Sequence, residues 1–73
     1  MVALKEADSR HREDGTRVVM VTLYTDNLST LPTSAADIKG LSPNDIIDEG
    51  STALDMNTGD IAMFGADDQW HKW

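Results

Sequence analysis

The chain has 73 residues, no cysteine and a formal net charge of −7. Such a length makes one domain with a thin core, because a chain this small buries only about 60% of its unfolded surface. Without thiols there is no disulfide or thiolate-metal brace, and the two histidines, His11 and His71, lie too far apart in sequence to read as a structural zinc site. Small domains that lack such braces need very good packing or a partner. Oligomerisation or docking on a larger protein is therefore expected. No segment approaches the ~20 apolar residues of a membrane span. The start, Met-Val-Ala-Leu-Lys-Glu, meets charge too early for a signal-peptide core. These features predict a protein made in the cytoplasm, with no membrane partner.

Charge is unevenly spread. Residues 1–17 hold four basic and four acidic side chains, whereas residues 18–73 hold two basic and nine acidic ones. An acidic body of this kind repels phosphate, so nucleic acid is not an expected partner.

Residues 1–14 leave three options. Leu4, Ala7 and His11 would share a helical face, with Glu6/Arg10 and Asp8/Arg12 as acid-first pairs four residues apart. Alternatively, Asp14-Gly15 is a hairpin turn that folds Ser9–Glu13 back on the next strand. A mobile arm is the third possibility. An N-terminal arm or hairpin over 1–16 is thus set apart from a β domain over 17–73.

Arg17–Thr25 predicts a strand, being rich in β-branched and aromatic residues. Val19, Val21 and Leu23 lie on one face, and Val18, Met20 and Tyr24 on the other. Apolar residues on both faces predict cover on both.

Asp26–Gly50 is a connection, in which Pro32 and Pro43 exclude a long helix. Ser34-Ala-Ala-Asp37 reads as a capping box opening one helical turn that Gly40 closes. Ser42-Pro43-Asn44-Asp45 repeats the device, with Gly50 as its end. Leu31, Ile38, Leu41, Ile46 and Ile47 would pin this segment to the sheet.

The last third carries a three-stranded antiparallel meander over 51–73, turning at Asn57-Thr58-Gly59-Asp60 and at Gly65-Ala66-Asp67-Asp68. The first turn allows two registers. A two-residue loop, Thr58-Gly59, groups Leu54, Met56, Ile61 and Met63. A three-residue loop with Gly59 left-handed groups Leu54, Met56, Ala62 and Phe64 instead. A slip of one residue flips one strand's faces. Trp70 and Trp73 fall on opposite faces of a final strand. The fold class is mainly β: an antiparallel sheet of strand 17–25 and the meander, with one or two short helical turns between.

Chemistry-bearing patterns are sparse. Asp55, Asn57 and Asp60 stand around a turn, but an EF-hand loop needs glycine sixth and glutamate twelfth, and neither is present. The reading is turn chemistry, with no metal and no cofactor. No nucleophile–base set and no Gly-rich phosphate loop occur, so an enzyme is not expected. Candidate partner contacts are the basic cluster Arg10, His11, Arg12 and Arg17, suited to an acidic protein surface, and Trp70 and Trp73. His71 between the two tryptophans raises the option of stacking on a sugar or base. The plainer reading places one tryptophan in the core and the other at an interface or chain end.

The string Gly50-Ser-Thr-Ala-Leu-Asp-Met-Asn-Thr-Gly-Asp-Ile-Ala-Met-Phe64, followed by the terminal tryptophan motif and preceded by Leu28-Ser29-Thr30 and Leu41-Ser42-Pro43, resembles small virion proteins of tailed bacteriophages. In that group similar strings end short proteins and head-fibre or capsid-decoration domains. Ala62 departs from the pattern, in which an aromatic residue is more usual. The resemblance implies a structural protein attached to the capsid exterior, with the major capsid protein or another virion protein as partner. It also implies a homo-oligomer, a trimer suiting capsid threefold positions, and the virion as location. A monomeric adaptor for a host or phage protein, and a tail or neck accessory protein, are the alternatives.

Overall fold

The computed structural model describes residues 2–73; Met1 lies outside the described residues. Six strands form one sheet: β1 (Val2–His11), β2 (Arg17–Thr25), β3 (Ile46–Ile47), β4 (Thr52–Asp55), β5 (Ile61–Phe64) and β6 (Trp70–Lys72). The order across the sheet is β1-β2-β4-β5-β6, and β3 lies beside β2. The only helical pieces among the described residues are two 3₁₀ turns, Leu28–Thr30 and Ala35–Asp37.

The N-terminal segment is a hairpin, and a longer one than the turn alone implies. Strand β1 pairs antiparallel with β2 along its whole length, from Val2↔Thr25 to His11↔Arg17. The turn is a tight loop in which the Gly15 N–H donates to the Arg12 carbonyl at 2.9 Å and the Thr16 N–H to the Asp14 carboxylate at 2.9 Å. Gly15 has φ +86°, the left-handed conformation that glycine supplies without strain. The helical option fails because its apolar stripe is thin, whereas as a strand the segment places Val2, Leu4 and Ala7 on one face. One extra residue, Lys5, sits in a bulge between the Leu4 and Glu6 pairings.

The sheet is mixed. Both ends are antiparallel, but β4 runs parallel to β2 through Thr22↔Thr52 to Thr25↔Asp55, and β3 runs parallel to it through Val18↔Ile46 and Val19↔Ile47. A parallel neighbour requires a connection of a dozen or more residues, and residues 26–45 supply it. This crossover lies over one face of the sheet. Buried Val19, Val21, Leu23, Ile47, Ala53 and Phe64 form the core with Ala35 and Ile38 from the crossover, and Leu28, Leu31 and Leu41 pack around them. Cover for this face of β2 thus comes from the chain itself.

Local chemistry shapes the crossover. Ser34 Oγ caps the second 3₁₀ turn, as the capping pattern predicts, and the Asn27 carboxamide caps the first, which was not expected from the sequence. Ser42-Pro43-Asn44-Asp45 opens no helix. The Asp45 N–H donates to the Ser42 carbonyl, the Ser42 N–H donates to the Asp45 carboxylate at 3.0 Å, and a single closed turn feeds straight into β3. Ile47 enters the core, as expected, but Ile46 stays exposed and outside it. Strand alternation at a two-residue strand imposes that split.

The β4–β5 turn spans Met56–Gly59, closed by the Asp55 N–H to the Asp60 carbonyl at 2.8 Å. Leu54 pairs with Ile61 and Thr52 with Met63. This register is displaced by two residues from the tight two-residue loop, and a two-residue shift preserves the faces. Leu54, Ile61 and Met63 share a face, as that option predicts, while Gly59 is left-handed at φ +79°.

Candidate functional site

The crossover covers one face and leaves the other open. Cross-strand pairing defines the open face as rows. One row runs Ala3, Tyr24, Leu54, Ile61. The Trp73 N–H donates to the Ile61 carbonyl at 2.8 Å, which continues the β5–β6 ladder and adds Trp73 to that row. The next row is Glu6, Thr22, Thr52, Met63, His71. Beyond it lie Met20 and then the row of Val18 and Ile46, where Val18 is buried, so that the face is closed at this end. Met20, Ile46, Ile61 and Met63 are all exposed, and Trp73 is 82% exposed. Exposed large apolar side chains grouped on one surface mark an interaction site more often than chance scatter does.

Charge divides along the same line. The strand residues of β2, β4, β5 and β6 on the open face include no carboxylate, although the chain has 13; the Asp67 carboxylate of the β5–β6 turn reaches this face at its end, 2.9 Å from His71 Nε2. The carboxylates stand in turns, in the crossover, in the β3–β4 link, at the buried end of β4 (Asp55), or on β1, where Glu6 and Asp8 border the apolar rows. Depletion of charge with enrichment of methionine and aromatic residues is the composition of an interface centre. Lys5, pushed out by its bulge, holds its ammonium 5.6 Å from the Tyr24 ring centre.

The two tryptophans divide as their spacing predicts, onto opposite faces. Trp70 works inside the molecule. Its indole Nε1–H donates to the Pro32 carbonyl at 2.7 Å, and its ring meets Phe64 edge-on with centroids 5.0 Å apart. It therefore fastens the crossover to the sheet. Trp73 alone of the pair is presented to solvent. His71 does not form a stacking slot with the two rings. Its Nε2 lies 2.9 Å from an Asp67 oxygen across the β5–β6 turn, and this contact holds the Asp67 carboxyl below its ordinary pKa.

The basic cluster is only partly available. Arg10 pairs with Asp48 at 3.2 Å and Arg17 with Asp45 at 3.6 Å, so carboxylates on either side of β3 occupy both guanidinium groups. His11 and Arg12 lie exposed where the hairpin turns. Charge counting along the sequence cannot reveal that Asp45 and Asp48 fold back onto the arginines. The open apolar face was legible in part, because β2 is apolar on both sides. Leu31, Ile38 and Leu41 also marked the connection as packing on the sheet; which face it covers could not be read, because this depends on the parallel joint.

Two clefts flank β3. One, of about 420 Å³, is lined by Thr33, Ser34, Asp45, Phe64 and Gln69 among others, and one of about 300 Å³ lies by Arg10, Arg12, Asp48 and Glu49. Neither assembles a nucleophile with a base. Comparison of the chain with protein-family models, with curated proteins and with solved structures yields no match. The geometry itself supplies the best-defined candidate site: a neutral, methionine-rich sheet face with one fully presented tryptophan.

Proposed function

We propose that the protein is a structural component of a tailed-phage virion, attached to the capsid exterior as decoration or as the base of a head fibre, and that it self-associates. Two features support this reading. The segment that resembles small virion proteins forms β4, β5 and β6, and its open face carries Leu54, Ile61, Met63 and Trp73. The single observation that carries self-association is that face, exposed on a domain too small to spare apolar surface. A trimer suits capsid threefold positions. The partner on the shell is the major capsid protein or another virion protein.

The tip of the β1–β2 hairpin is the proposed shell contact. His11 and Arg12 are exposed there, whereas Arg10 and Arg17 are bound within the molecule. An arginine fork pairs with carboxylates in two-point contacts. Each exposed pair contributes only ~0–1 kcal/mol, so the tip orients the docked protein while apolar contacts supply most of the affinity. The test is binding of purified protein to particles that lack it, with wild type and Arg12→Glu, at low and high salt. Saturable wild-type binding that Arg12→Glu weakens mainly at low salt supports the reading. Absence of the protein from purified particles, together with no binding by wild type, contradicts it in favour of an adaptor role.

A further inference from the structure

We propose that the outer edge of β3 is a docking site for an extended peptide segment of another protein, one that alternates apolar and basic residues and lies beside Ile46–Ile47 as an added strand. The inference goes beyond the reading above. It concerns a surface other than the open face and holds whichever assembly the protein joins.

The backbone selects the kind of occupant. Strand β3 has one neighbour, β2. The Asp48 N–H donates to the Val19 carbonyl at 2.8 Å. With Val18 paired to Ile46 and Val19 to Ile47, both backbone groups of Ile46 also face β2. The N–H and C=O of Ile47 therefore point away from β2, and no group among the described residues bonds them there. Ile47 is itself a buried residue, and buried backbone groups are paired in the great majority of cases. Strand β5 would supply the partner if it ran on. Its ladder reaches Gly50 and Ser51, through the Gly50 N–H to the Phe64 carbonyl at 2.7 Å and the Phe64 N–H to the Ser51 carbonyl at 2.8 Å. At Gly65 the chain turns, closed by the Asp68 N–H to the Gly65 carbonyl at 3.1 Å, and β3 is left with an open outer edge. An extended backbone offers a donor and an acceptor together, which is how peptides join such edges.

Side chains select its composition. The two clefts lie on either side of the edge, and Ile46, Ile47 and Asp68 line both. The larger, on the crossover side, has Ala35, Ile47 and Phe64 in its wall. The smaller, on the side of Arg10 and Ile46, holds Glu49, Asp68 and Arg12 beside the Arg10–Asp48 pair. An added strand sends successive side chains to opposite faces. An apolar side chain thus enters the larger cleft, and its neighbours along the chain reach the smaller one. Asp45 and Asp48 are matched by Arg17 and Arg10. Glu49 and Asp68 enter no ion pair among the described residues, and Arg12 is the one further cation of that cleft. A basic side chain suits this balance, and a net charge of −7 draws a basic segment from a distance. Few bonds are made, so dissociation is expected on the order of 100 μM.

The probe is a short end-blocked peptide alternating lysine and valine, added to isotope-labelled protein and followed by amide NMR. Saturable shifts centred on the Ile47 amide, with slower hydrogen exchange there, are expected. The peptide with glutamate in place of lysine should not bind. The lysine–valine peptide methylated on its backbone nitrogens keeps every side chain but lacks the N–H donors, and should bind about tenfold more weakly. Asp68→Asn removes one carboxylate, and asparagine accepts the φ of +61° found there; it should weaken binding about two- to fivefold. An amide spectrum unchanged away from the turn checks that this variant keeps its fold. Absence of shifts at Ile47, shifts centred instead on Met63 and Trp73, equal binding by the glutamate or the methylated peptide, or unchanged binding by Asp68→Asn overturns the inference.

Discussion

Single residues hold the turns of this sheet, and each does so through one nameable interaction. Gly59 sits at φ +79° with open space where a Cβ would go, so substitution costs backbone strain and not a clash. Gly59→Val should lower stability by ~1 kcal/mol or more, read as a lower denaturation midpoint with an unchanged slope. Trp70 donates its indole N–H to the Pro32 carbonyl at 2.7 Å. Trp70→Phe keeps the contact with Phe64 but removes that donor, at an expected ~1–2 kcal/mol; an unchanged midpoint would show that the crossover is held by apolar contacts alone. The carboxyl of Asp67 is held below its ordinary value of 3.8, chiefly by the hydrogen bond from His71. A depressed folded-state pKa means that the stabilisation is fully present above the unfolded value and is lost as pH falls through the folded one. The β5–β6 turn should therefore keep the His71–Asp67 contact at neutral pH and lose it only below pH 3.8. Carboxyl chemical shifts followed through an acid titration measure this, and an Asp67 midpoint at or above 3.8 would contradict it.

Among the elements, the junction of β3 and β4 beside β2 matters most, because it makes the sheet mixed. Ser51 bridges the break between the two short strands. Its buried Oγ accepts the Val21 N–H at 3.0 Å and donates to the Asp48 carbonyl at 2.8 Å, replacing a missing rung of the ladder. Ser51→Ala leaves the Val21 N–H buried without its acceptor, which costs ~1–3 kcal/mol. Amide exchange at Val21 should speed up before that of Leu23, whose surroundings are unchanged. This element was not legible in the sequence. The strand over 17–25 and the final meander were, because alternation and Asn-Thr-Gly turn chemistry are local signals. The pairing of β2 with β4 is set by where the crossover lands, and no local pattern encodes that. The N-terminal hairpin lay between these cases: Asp14-Gly15 marked its turn, but its extent back to Val2 depends on the facing residues of β2. Among site residues, Trp73 stood out as a terminal tryptophan. The internal pairing of Arg10 and Arg17 did not stand out, because Asp48 and Asp45 are distant in sequence.

At the scale of the molecule, one sheet has an inside made by its own crossover and an outside made of Met20, Tyr24, Leu54, Ile61, Met63 and Trp73. Strand β1 is an edge strand, ten residues long, and its Lys5 bulge together with Glu6, Asp8 and Arg10 discourages addition of a further strand. Its removal would expose the unpaired edge of β2 and strip Val2 and Leu4 from the core. A chain without residues 1–11 should aggregate, and for that reason side-chain changes at the hairpin tip are the sound probe of attachment. The central claim is that the open face is covered by another copy through neutral, apolar contact. Sedimentation equilibrium from low to high micromolar concentration, repeated at low and high salt, tests it most directly. Added salt screens the mutual repulsion of chains of net charge −7 but not the apolar contact. The predicted result is a reversible, concentration-dependent self-association that strengthens as salt rises. A monomer at every concentration and salt, or an association that weakens as salt rises, would contradict it.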